Sequence, residues 1–263
     1  MQSLLCTAVL ITMSLVVSIG MIVQNGKIRH VQAALTERHE RVFVHGIFTL
    51  PRLHEQRNVH RATWMTSPLV CTAINETETC AIIVYFVIGL VPNSSRVLIE
   101  RENATRGDLI ELDVEENMNS GKTFDWFRFA AHRFPTARFI SKGDMDTFVY
   151  SEDLLRSVRH LPRPARSIYG GNVVDWKSCG GYDHCPYGWV YMAGGFYFIS
   201  QDLVQWFGAV NNTFVNDNSM GHEDLQVGKC LHFSGIRVLY MTWGTSKRAW
   251  AHPIKNISSF YEL

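Results

Sequence analysis

The sequence lacks an excess of charge of either sign, and this excludes one broad class of partner. The chain has 263 residues, a formal net charge of +1 and 19% charged residues. Domains that bind nucleic acid usually carry a clustered excess of Lys and Arg, and no such footprint is visible. Low-complexity tracts and internal repeats are also missing, so the sequence predicts a single globular unit with a substantial core.

Cysteine is scarce, and its spacing argues against a zinc site. Outside the first two dozen residues, two pairs bracket short polar loops: Cys71 with Cys80, and Cys179 with Cys185. This pattern predicts two disulfides and leaves Cys230 over. Metal binding by Cys179, His184 and Cys185 is the alternative, but no second ligand pair at the usual spacing accompanies it.

Charge is absent from residues 3–23, which are almost wholly apolar. The length of this run fits a membrane-spanning helix of about 20 residues and exceeds the roughly 7–15 residues of a signal-peptide core. The sequence therefore predicts a transmembrane signal anchor over residues 1–24, a polar stem over 25–40 and one domain over 41–263. A cleaved signal peptide is the alternative.

The orientation of this anchor receives conflicting signals. Lys27 and Arg29 follow the span, and the positive-inside bias taken alone would leave the large domain in the cytosol. The paired cysteines and five N-glycosylation sequons favour the opposite side of the membrane. The sequons lie at Asn75, Asn93, Asn103, Asn211 and Asn256. We therefore predict a lumenal domain on a single-pass anchor with a cytosolic N-terminus.

Strand and helix patterns alternate along the first half of the domain. Residues 42–47, 81–90 and 109–112 have the apolar, β-branched character of buried strands. Residues 122–134 place Phe124, Phe127 and Phe134 at helical spacing, which predicts an amphipathic helix with its aromatic face in the core. This alternation predicts an α/β domain with a mostly parallel sheet covered by helices. Ligands of such sheets bind at the carboxyl ends of the strands.

Two carboxylates, Asp144 and Asp146, follow a short apolar strand at 139–140. Residues two apart in an extended or tightly turned chain point to the same side, so both can face one pocket. Two hard oxygen donors favour Mg²⁺ or Mn²⁺. The alternative is that the pair caps the next helix, but Ser151 is expected to cap that helix itself.

Three other stretches carry candidate functional residues. Arg57 and Arg61 share one face of a predicted helix and could bind a diphosphate, or they could form a solvated basic face. The paired glycines Gly194 and Gly195 interrupt an aromatic strand, which indicates close approach of a ligand or of another backbone. Glu223 and Asp224 open a helix over 221–232, where acids also serve as ordinary partners of the helix dipole.

In their order, these pieces resemble the β-1,3-glycosyltransferase family, a GT-A-fold group that includes galactosyltransferases, N-acetylglucosaminyltransferases and fringe proteins. The likeness covers about residues 40–255. The matching residues are Arg57, Arg61-Ala62-Thr63-Trp64, Val87-Ile88-Gly89, Gly107-Asp108, Lys122-Thr123, Lys142-Gly143-Asp144-Met145-Asp146, Ala193-Gly194-Gly195-Phe196-Tyr197 with Ser200, and Glu223-Asp224 with Gly228 and Cys230. The chain departs from the family pattern at Met145, where the family usually has a third acid. It also has Met192 where many members place a partner cysteine for Cys230.

The resemblance implies an inverting, metal-dependent hexosyltransferase in the Golgi membrane. Such an enzyme moves galactose or N-acetylglucosamine from a UDP-sugar to a glycan on protein or lipid, with a β-1,3 linkage. By resemblance, Asp146 and His252 bind Mn²⁺ (or Mg²⁺), and Asp224 is the general base. The implied nucleotide-sugar contacts are Arg57, Arg61, Lys142 and Asp144, and the implied acceptor contacts are Gly194, Gly195 and Glu223.

Two readings from other classes stay open. The acids of Asp144-Met145-Asp146 match the paired acids in the signature of haloacid-dehalogenase-type phosphatases, in which the first Asp is a nucleophile directly at the end of a strand. Ser141, Lys142 and Gly143 separate Asp144 from the apolar residues here, which is unusual for that class. The other reading is an inactive, lectin-like membrane glycoprotein that kept the fold.

Overall fold

The structure, a computed structural model, describes residues 41–75, 77, 79–174, 189–209, 212–243 and 249–263. These residues belong to one unit. Within them, no helix is both long enough and apolar enough to cross a bilayer. The predicted anchor at 1–24, the predicted stem at 25–40, and the residues Cys179, His184, Cys185 and Asn211 lie outside the described residues.

A mixed, mostly parallel sheet forms the centre of the domain. The described strands are β1 Phe43–Phe48, β2 Val70–Cys71, β3 Ile82–Ile88, β4 Leu109–Glu111, β5 Phe139–Asp144, β6 Phe148–Val149, β7 Ile168–Val173, β8 Met192–Ser200, β9 Leu239–Thr242 and β10 Trp250–Ala251. The main sheet has the order β2-β3-β1-β5-β8-β7-β9, with β4 also beside β3. Strand β8 runs antiparallel to both of its neighbours, and the other pairs in this sheet are parallel. The predicted α/β architecture is confirmed.

Helices cover both faces of this sheet. They are α1 His54–Ala62, α2 Asn93–Arg106, α3 Lys122–Arg133, α4 Ser151–Val158, α5 Gln201–Gly208, α6 Thr213–Asp217 and α7 Glu223–Phe233. Every residue of β3 is buried, as its continuous apolar sequence predicts. Phe124 and Phe127 of α3 are fully buried, so the predicted aromatic core face is also confirmed.

Helix α2 has no counterpart among the predicted elements. Its apolar residues Val97, Leu98 and Ile99 are consecutive instead of three or four apart, so no amphipathic stripe marks the helix. Of its residues only Ile99 is buried, while Val97 and Leu98 are exposed. The surrounding sequence is polar and therefore favours a loop on local grounds.

The expected cap of α4 is wrong. Tyr150 is the N-cap residue and makes no side-chain cap, whereas Ser151 is the first helical residue. Ser151 is buried, and its hydroxyl donates to the hydroxyl of Ser67 at 3.0 Å. Asp144 and Asp146 do not cap α4 either, since their carboxylates have the partners described below.

Strand pairing brings four distant stretches to one edge of the sheet. Gly143 of β5 lies opposite Phe196 of β8, so the carboxyl end of β5 meets the amino end of β8. Trp250 of β10 lies opposite Val149 of β6, which brings the chain after β10 back to the residues that follow β5. The amino end of α7 packs against the amino end of β8 through a contact between Asp224 and Gly194.

Candidate active site

The two acidic residues and a histidine converge at the end of β5. Asp144 is the last residue of this strand, and Asp146 follows in a turn. Nε2 of His252 lies 3.1 Å from Oδ1 of Asp146 and 3.9 Å from Oδ2 of Asp144. One ligand atom from each of the three residues falls within 4.8 Å of the others. All three remain partly exposed, so a small ion can reach them from solvent.

His252 reaches this position because Gly195 has no side chain. A Cβ atom on Gly195 would lie 2.5 Å from Cγ of the His252 ring, a distance that real Cβ contacts do not show. The ring of His252 therefore fills the space that a side chain at position 195 of β8 would need. The sequence predicted a close approach at this pair of glycines, and the approaching group is a side chain of the same protein.

The donor set fits a divalent cation of the Mn²⁺ type. Two carboxylate oxygens and one imidazole nitrogen combine hard and borderline donors, which Mn²⁺ and Mg²⁺ accept and soft ions do not favour. The hydrogen bond from His252 lowers the pKa of Asp146 despite its partial burial, and Lys255 lowers it further. Asp146 is therefore an anion throughout the physiological range, and its Oδ2 pairs with the exposed ammonium of Lys255.

The ammonium group of Lys142 is buried beneath the acidic turn and has three hydrogen-bond partners. Its side chain is fully buried, and Nζ donates to Asp144 Oδ1 at 2.7 Å, Gly194 O at 2.7 Å and Glu223 Oε1 at 2.6 Å. Burial opposes its charge, but the two carboxylates outweigh burial and raise the pKa of Lys142. All three N–H donors are engaged within the protein. Lys142 orients Asp144 and has no donor left for the nucleotide-sugar contact that the resemblance implied.

The carboxylate of Glu223 is likewise bonded to groups inside the domain. Besides Lys142, it accepts hydrogen bonds from the hydroxyl of Tyr197 at 2.7 Å and from Oγ1 of Thr123 at 3.2 Å. Burial raises the pKa of Glu223, and the charge of Lys142 opposes that effect. Glu223 is only 5% exposed because α3, β8 and the long side chain of Lys142 enclose it, so in this structure its carboxylate faces the interior and not an acceptor.

Asp224, the neighbouring acid, has a different environment. It is half-buried at the first turn of α7, where Oδ1 accepts from the backbone N–H of Leu225 at 2.8 Å. Its Oδ2 accepts from the backbone N–H of Gly194 at 3.1 Å. A Cβ on Gly194 would lie 3.3 Å from that same oxygen. His252 therefore lies against Gly195 and Asp224 against Gly194, so both groups contact adjacent residues of β8.

In this structure the guanidinium groups of Arg57 and Arg61 are paired with protein groups. All five guanidinium N–H donors of Arg57 are engaged, by Glu102, Thr49 and the carbonyls of Leu50 and Pro51. Arg61 forms ion pairs with Asp108 and Glu102, both at 2.8 Å. The two arginines share a helix face as predicted, but that face packs on acids of α2 and of the segment before β4. They tie α1 to its neighbours and do not join the acidic turn.

A cavity of about 270 Å³ opens directly beside Asp146, and nothing in the residue pattern predicted it. Its lining includes Leu53 and Gln56 from the start of α1, and Lys255 and Phe260 from the C-terminal segment. The segments come from opposite ends of the domain. Thr123, Tyr197 and Lys255 were likewise given no role from sequence, because their partners are distant along the chain.

The remaining predicted sites lie away from the acidic turn. Cys71 and Cys80 form a disulfide, and Cys230 is a buried free thiol whose pKa is raised to about 12 by burial. The sequon asparagines Asn75, Asn93, Asn103 and Asn256 are exposed. The first pairing and the exposure agree with the expectations from sequence.

The fold and the acidic turn are those of a known protein family. A family model described as Galactosyltransferase matches residues 55–242, which include strands β2 to β9, the acidic turn and α7. The chain therefore belongs to the galactosyltransferase family. The resemblance drawn from the motifs is confirmed.

Individual relatives are more distant. The chain is 26% identical over 218 residues to human β-1,3-galactosyltransferase 9, covering 77% of this chain and 56% of that protein. It is 26% identical over 173 residues to UDP-GalNAc:β-1,3-N-acetylgalactosaminyltransferase 1 of Sus scrofa, covering 60% of this chain and 51% of that protein. The chain thus spans about half the length of these curated relatives.

A crystal structure of the galactosyltransferase LgtC with donor and acceptor sugar analogues is a weaker match. The TM-score is 0.46 at 11% identity, over 83% of this chain and 94% of that chain. A similarity of this size carries no inference about function.

Proposed function

We propose that this protein is an inverting, metal-dependent hexosyltransferase that moves a sugar from a UDP-sugar to a hydroxyl group of a glycan. The observation that carries the proposal is the convergence of Asp144, Asp146 and His252, whose ligand atoms lie within 4.8 Å of one another. The membership of the galactosyltransferase family supports the same reaction class. Asp224 contacts Gly194, the neighbour of the glycine that His252 approaches, and is the fourth group that the proposed reaction needs.

In this proposal Asp224 is the general base. Its carboxylate takes the proton of the acceptor hydroxyl as that oxygen forms a bond to the anomeric carbon. The bond from the anomeric carbon to the UDP oxygen breaks on the opposite face, so the configuration inverts and UDP leaves as an anion. The hydrogen bonds from Gly194 and Leu225 hold both oxygens of Asp224 in place before the acceptor arrives.

Asp144, Asp146 and His252 would hold the cation, with Lys142 fixing the orientation of Asp144 from below. When bound, Mn²⁺ or Mg²⁺ supplies positive charge that stabilises the departing diphosphate. The cavity beside Asp146 offers space for the nucleoside part of the donor. Lys255 at its rim adds a second positive charge close to the diphosphate.

The donor sugar belongs to the proposal as well. The names of the two relatives mention galactosyl and N-acetylgalactosaminyl transfer, which adds N-acetylgalactosamine to the candidates taken from the motifs. The test is a screen of the full chain with UDP-galactose, UDP-N-acetylgalactosamine and UDP-N-acetylglucosamine in the presence of Mn²⁺, followed by the same reactions with a chelator. We expect transfer or slow hydrolysis of one donor and its loss on chelation. Turnover that survives chelation would overturn the metal-dependent mechanism.

The structure and the family match bear differently on the phosphatase alternative and on the lectin-like alternative. The sequence-based objection to a phosphatase is wrong, because β5 runs through Asp144 and places it directly at the strand end. The family match, which includes this strand, now favours the transferase instead. The lectin-like alternative predicts that Asp146→Ala leaves glycan binding unchanged and that no donor is turned over in the screen.

We also propose that the domain is lumenal, on a single-pass anchor in the Golgi membrane. The Cys71–Cys80 disulfide and the exposed sequon asparagines support an oxidising, glycosylating compartment. Treatment of the cell-derived protein with peptide N-glycosidase tests this topology. A mass shift is expected, and an unshifted band contradicts the lumenal placement.

A further inference from the structure

A buried histidine of α1 connects an indole to the middle of the acidic turn. Nε1 of Trp64 donates to Nδ1 of His60 at 2.8 Å, and Nε2 of His60 lies 2.9 Å from the carbonyl oxygen of Met145. Met145 is the residue between the two acids of the turn. His60 is 1% exposed, so water does not compete for either contact.

The contacts determine which nitrogen of His60 carries the proton. An indole N–H is a donor only, so Nδ1 must accept from Trp64 and therefore has no proton. In a neutral ring the proton is then on Nε2, which donates it to the carbonyl of Met145. Burial, the largest influence, lowers the pKa of His60 to about 4, which is consistent with a neutral ring at physiological pH.

Each of the three carbonyl groups of the turn at residues 144–146 accepts a hydrogen bond, and His60 donates one of them. The carbonyl of Asp144 accepts from the backbone N–H of Thr147, and the carbonyl of Asp146 accepts from the backbone N–H of Ile254 at 2.8 Å. The carbonyl of Met145 accepts from His60. Backbone donors are supplied by almost any sequence, whereas the third anchor depends on the identity of one side chain.

We propose that His60 is a positioning residue, which holds the turn at Met145 so that the carboxylates of Asp144 and Asp146 converge with His252 on one cation. This inference rests on the metal site in the proposed function. Ligands need to be held within about 0.5 Å of productive geometry, and outer groups that orient metal ligands typically change metal affinity by about 10–100-fold when removed. His60 acts through the backbone and touches neither the cation nor a substrate.

Packing is the competing explanation for a buried aromatic ring at this position. The ring of His60 lies edge-on to Phe260 at 5.0 Å and to Phe86 at 5.9 Å between centroids. If packing were its whole role, an apolar residue of similar volume would change stability without changing the affinity for a cation. The two explanations therefore separate in a binding measurement made on the folded protein without nucleotide.

The experiment compares four variants of the full chain by Mn²⁺ titration, followed by electron paramagnetic resonance, together with urea unfolding. His60→Leu removes the donor, and His60→Gln returns an amide N–H at the position of Nε2. Trp64→Phe removes the group that fixes the tautomer. Val158→Ala, in the buried face of α4, is the matched control for lost core packing.

We expect His60→Leu to weaken Mn²⁺ binding about 10–100-fold and Trp64→Phe to weaken it less. His60→Gln should recover most of the affinity, and Val158→Ala should lose stability with unchanged Mn²⁺ binding. Wild-type affinity in folded His60→Leu overturns the inference. If His60→Leu does not fold, unchanged affinity in Trp64→Phe overturns it instead.

Asp146→Ala, measured in the same titration, separates this inference from the proposed function. Loss of Mn²⁺ binding in Asp146→Ala with full binding in His60→Leu removes only the role of His60. Retained Mn²⁺ binding in Asp146→Ala removes the metal site itself, and with it both proposals.

Discussion

Oε1 of Glu223 lies 2.6 Å from Nζ of Lys142, and this contact joins the first turn of α7 to the strand that ends in the acidic turn. The same ammonium lies 2.7 Å from Oδ1 of Asp144. The buried ammonium of Lys142 is therefore shared by Asp144, an acid of the proposed metal site, and by Glu223, the residue next to the proposed base. The side chains of Lys142 and Glu223 thereby connect Asp144 to the helical turn that carries Asp224.

Replacement of Glu223 by Gln should destabilise the protein. Lys142 would keep Asp144 as a partner but lose half of its buried counter-charge, and breaking such a pair typically reduces the free energy of unfolding by about 3 kcal/mol. Urea unfolding measures the change. Glu152→Gln, on the exposed face of α4, is the matched control and should stay within about 0.5 kcal/mol of wild type. Equal stability of both variants would show that Lys142 does not need Glu223.

Asp146→Asn should abolish most of the affinity for Mn²⁺. Removing groups that only orient ligands already lowers metal affinity by about 10–100-fold, so loss of a ligand charge should exceed about 100-fold. Isothermal titration with Mn²⁺ measures this. Asp153→Asn, an exposed acid of α4 that pairs with Arg156, is the control and should bind normally. A similar affinity in both variants would exclude Asp146 as a ligand.

Asp224→Asn should separate proton transfer from binding. The amide keeps the shape of the side chain but cannot accept the hydroxyl proton, so kcat should fall by about 10²–10⁴-fold. The affinity for Mn²⁺ and the free energy of unfolding should remain close to wild type, because Asp224 is not among the converging ligands. Steady-state transfer with the donor found in the screen provides the measurement. A loss smaller than tenfold would require another base.

Gly195→Ala should displace His252 and weaken Mn²⁺ binding by about tenfold or more. The new Cβ would lie 2.5 Å from the ring, which must move away. Gly194→Ala is the graded comparison, since its Cβ would lie 3.0 Å from the Glu223 carboxylate and smaller shifts can relieve it. The expected order of affinity is wild type, Gly194→Ala, then Gly195→Ala. The reverse order would argue that His252 is not a ligand.

The protein should lose stability as the pH falls from about 6.5 toward 5. Burial lowers the pKa of His45 to about 3 and that of His60 to about 4, both below the reference value of 6.5. In this window the unfolded chain binds protons that the folded chain does not, so protonation favours unfolding. Two such groups give a limiting slope of about 2.7 kcal/mol per pH unit. Urea unfolding at pH 7.5, 6.5, 5.5 and 5 measures it, and a flat profile would contradict buried neutral histidines.

Local patterns of apolar residues in the sequence predicted much of the fold. The continuous apolar run that became β3 and the spaced aromatics of α3 predicted their burial, because periodicity reports directly on which faces avoid water. The acids Asp144 and Asp146 were likewise identified at a strand end. Helix α2 was not predicted, because its apolar residues do not fall on one face of the helix.

The partners of the charged side chains depended on the tertiary structure. Arg57 pairs with Glu102, 45 residues away, and Lys142 pairs with Glu223, 81 residues away. Such long-range pairs determine which charged side chains are neutralised inside the protein and which can still bind a ligand. By itself, the sequence determined the buried strands, the acidic turn and the family. Only the fold decided that Lys142 and Glu223 pair with each other in the interior and how closely His252 approaches the acids that the resemblance had already assigned to it. Strand pairing sets those distances, and local residue patterns do not record them.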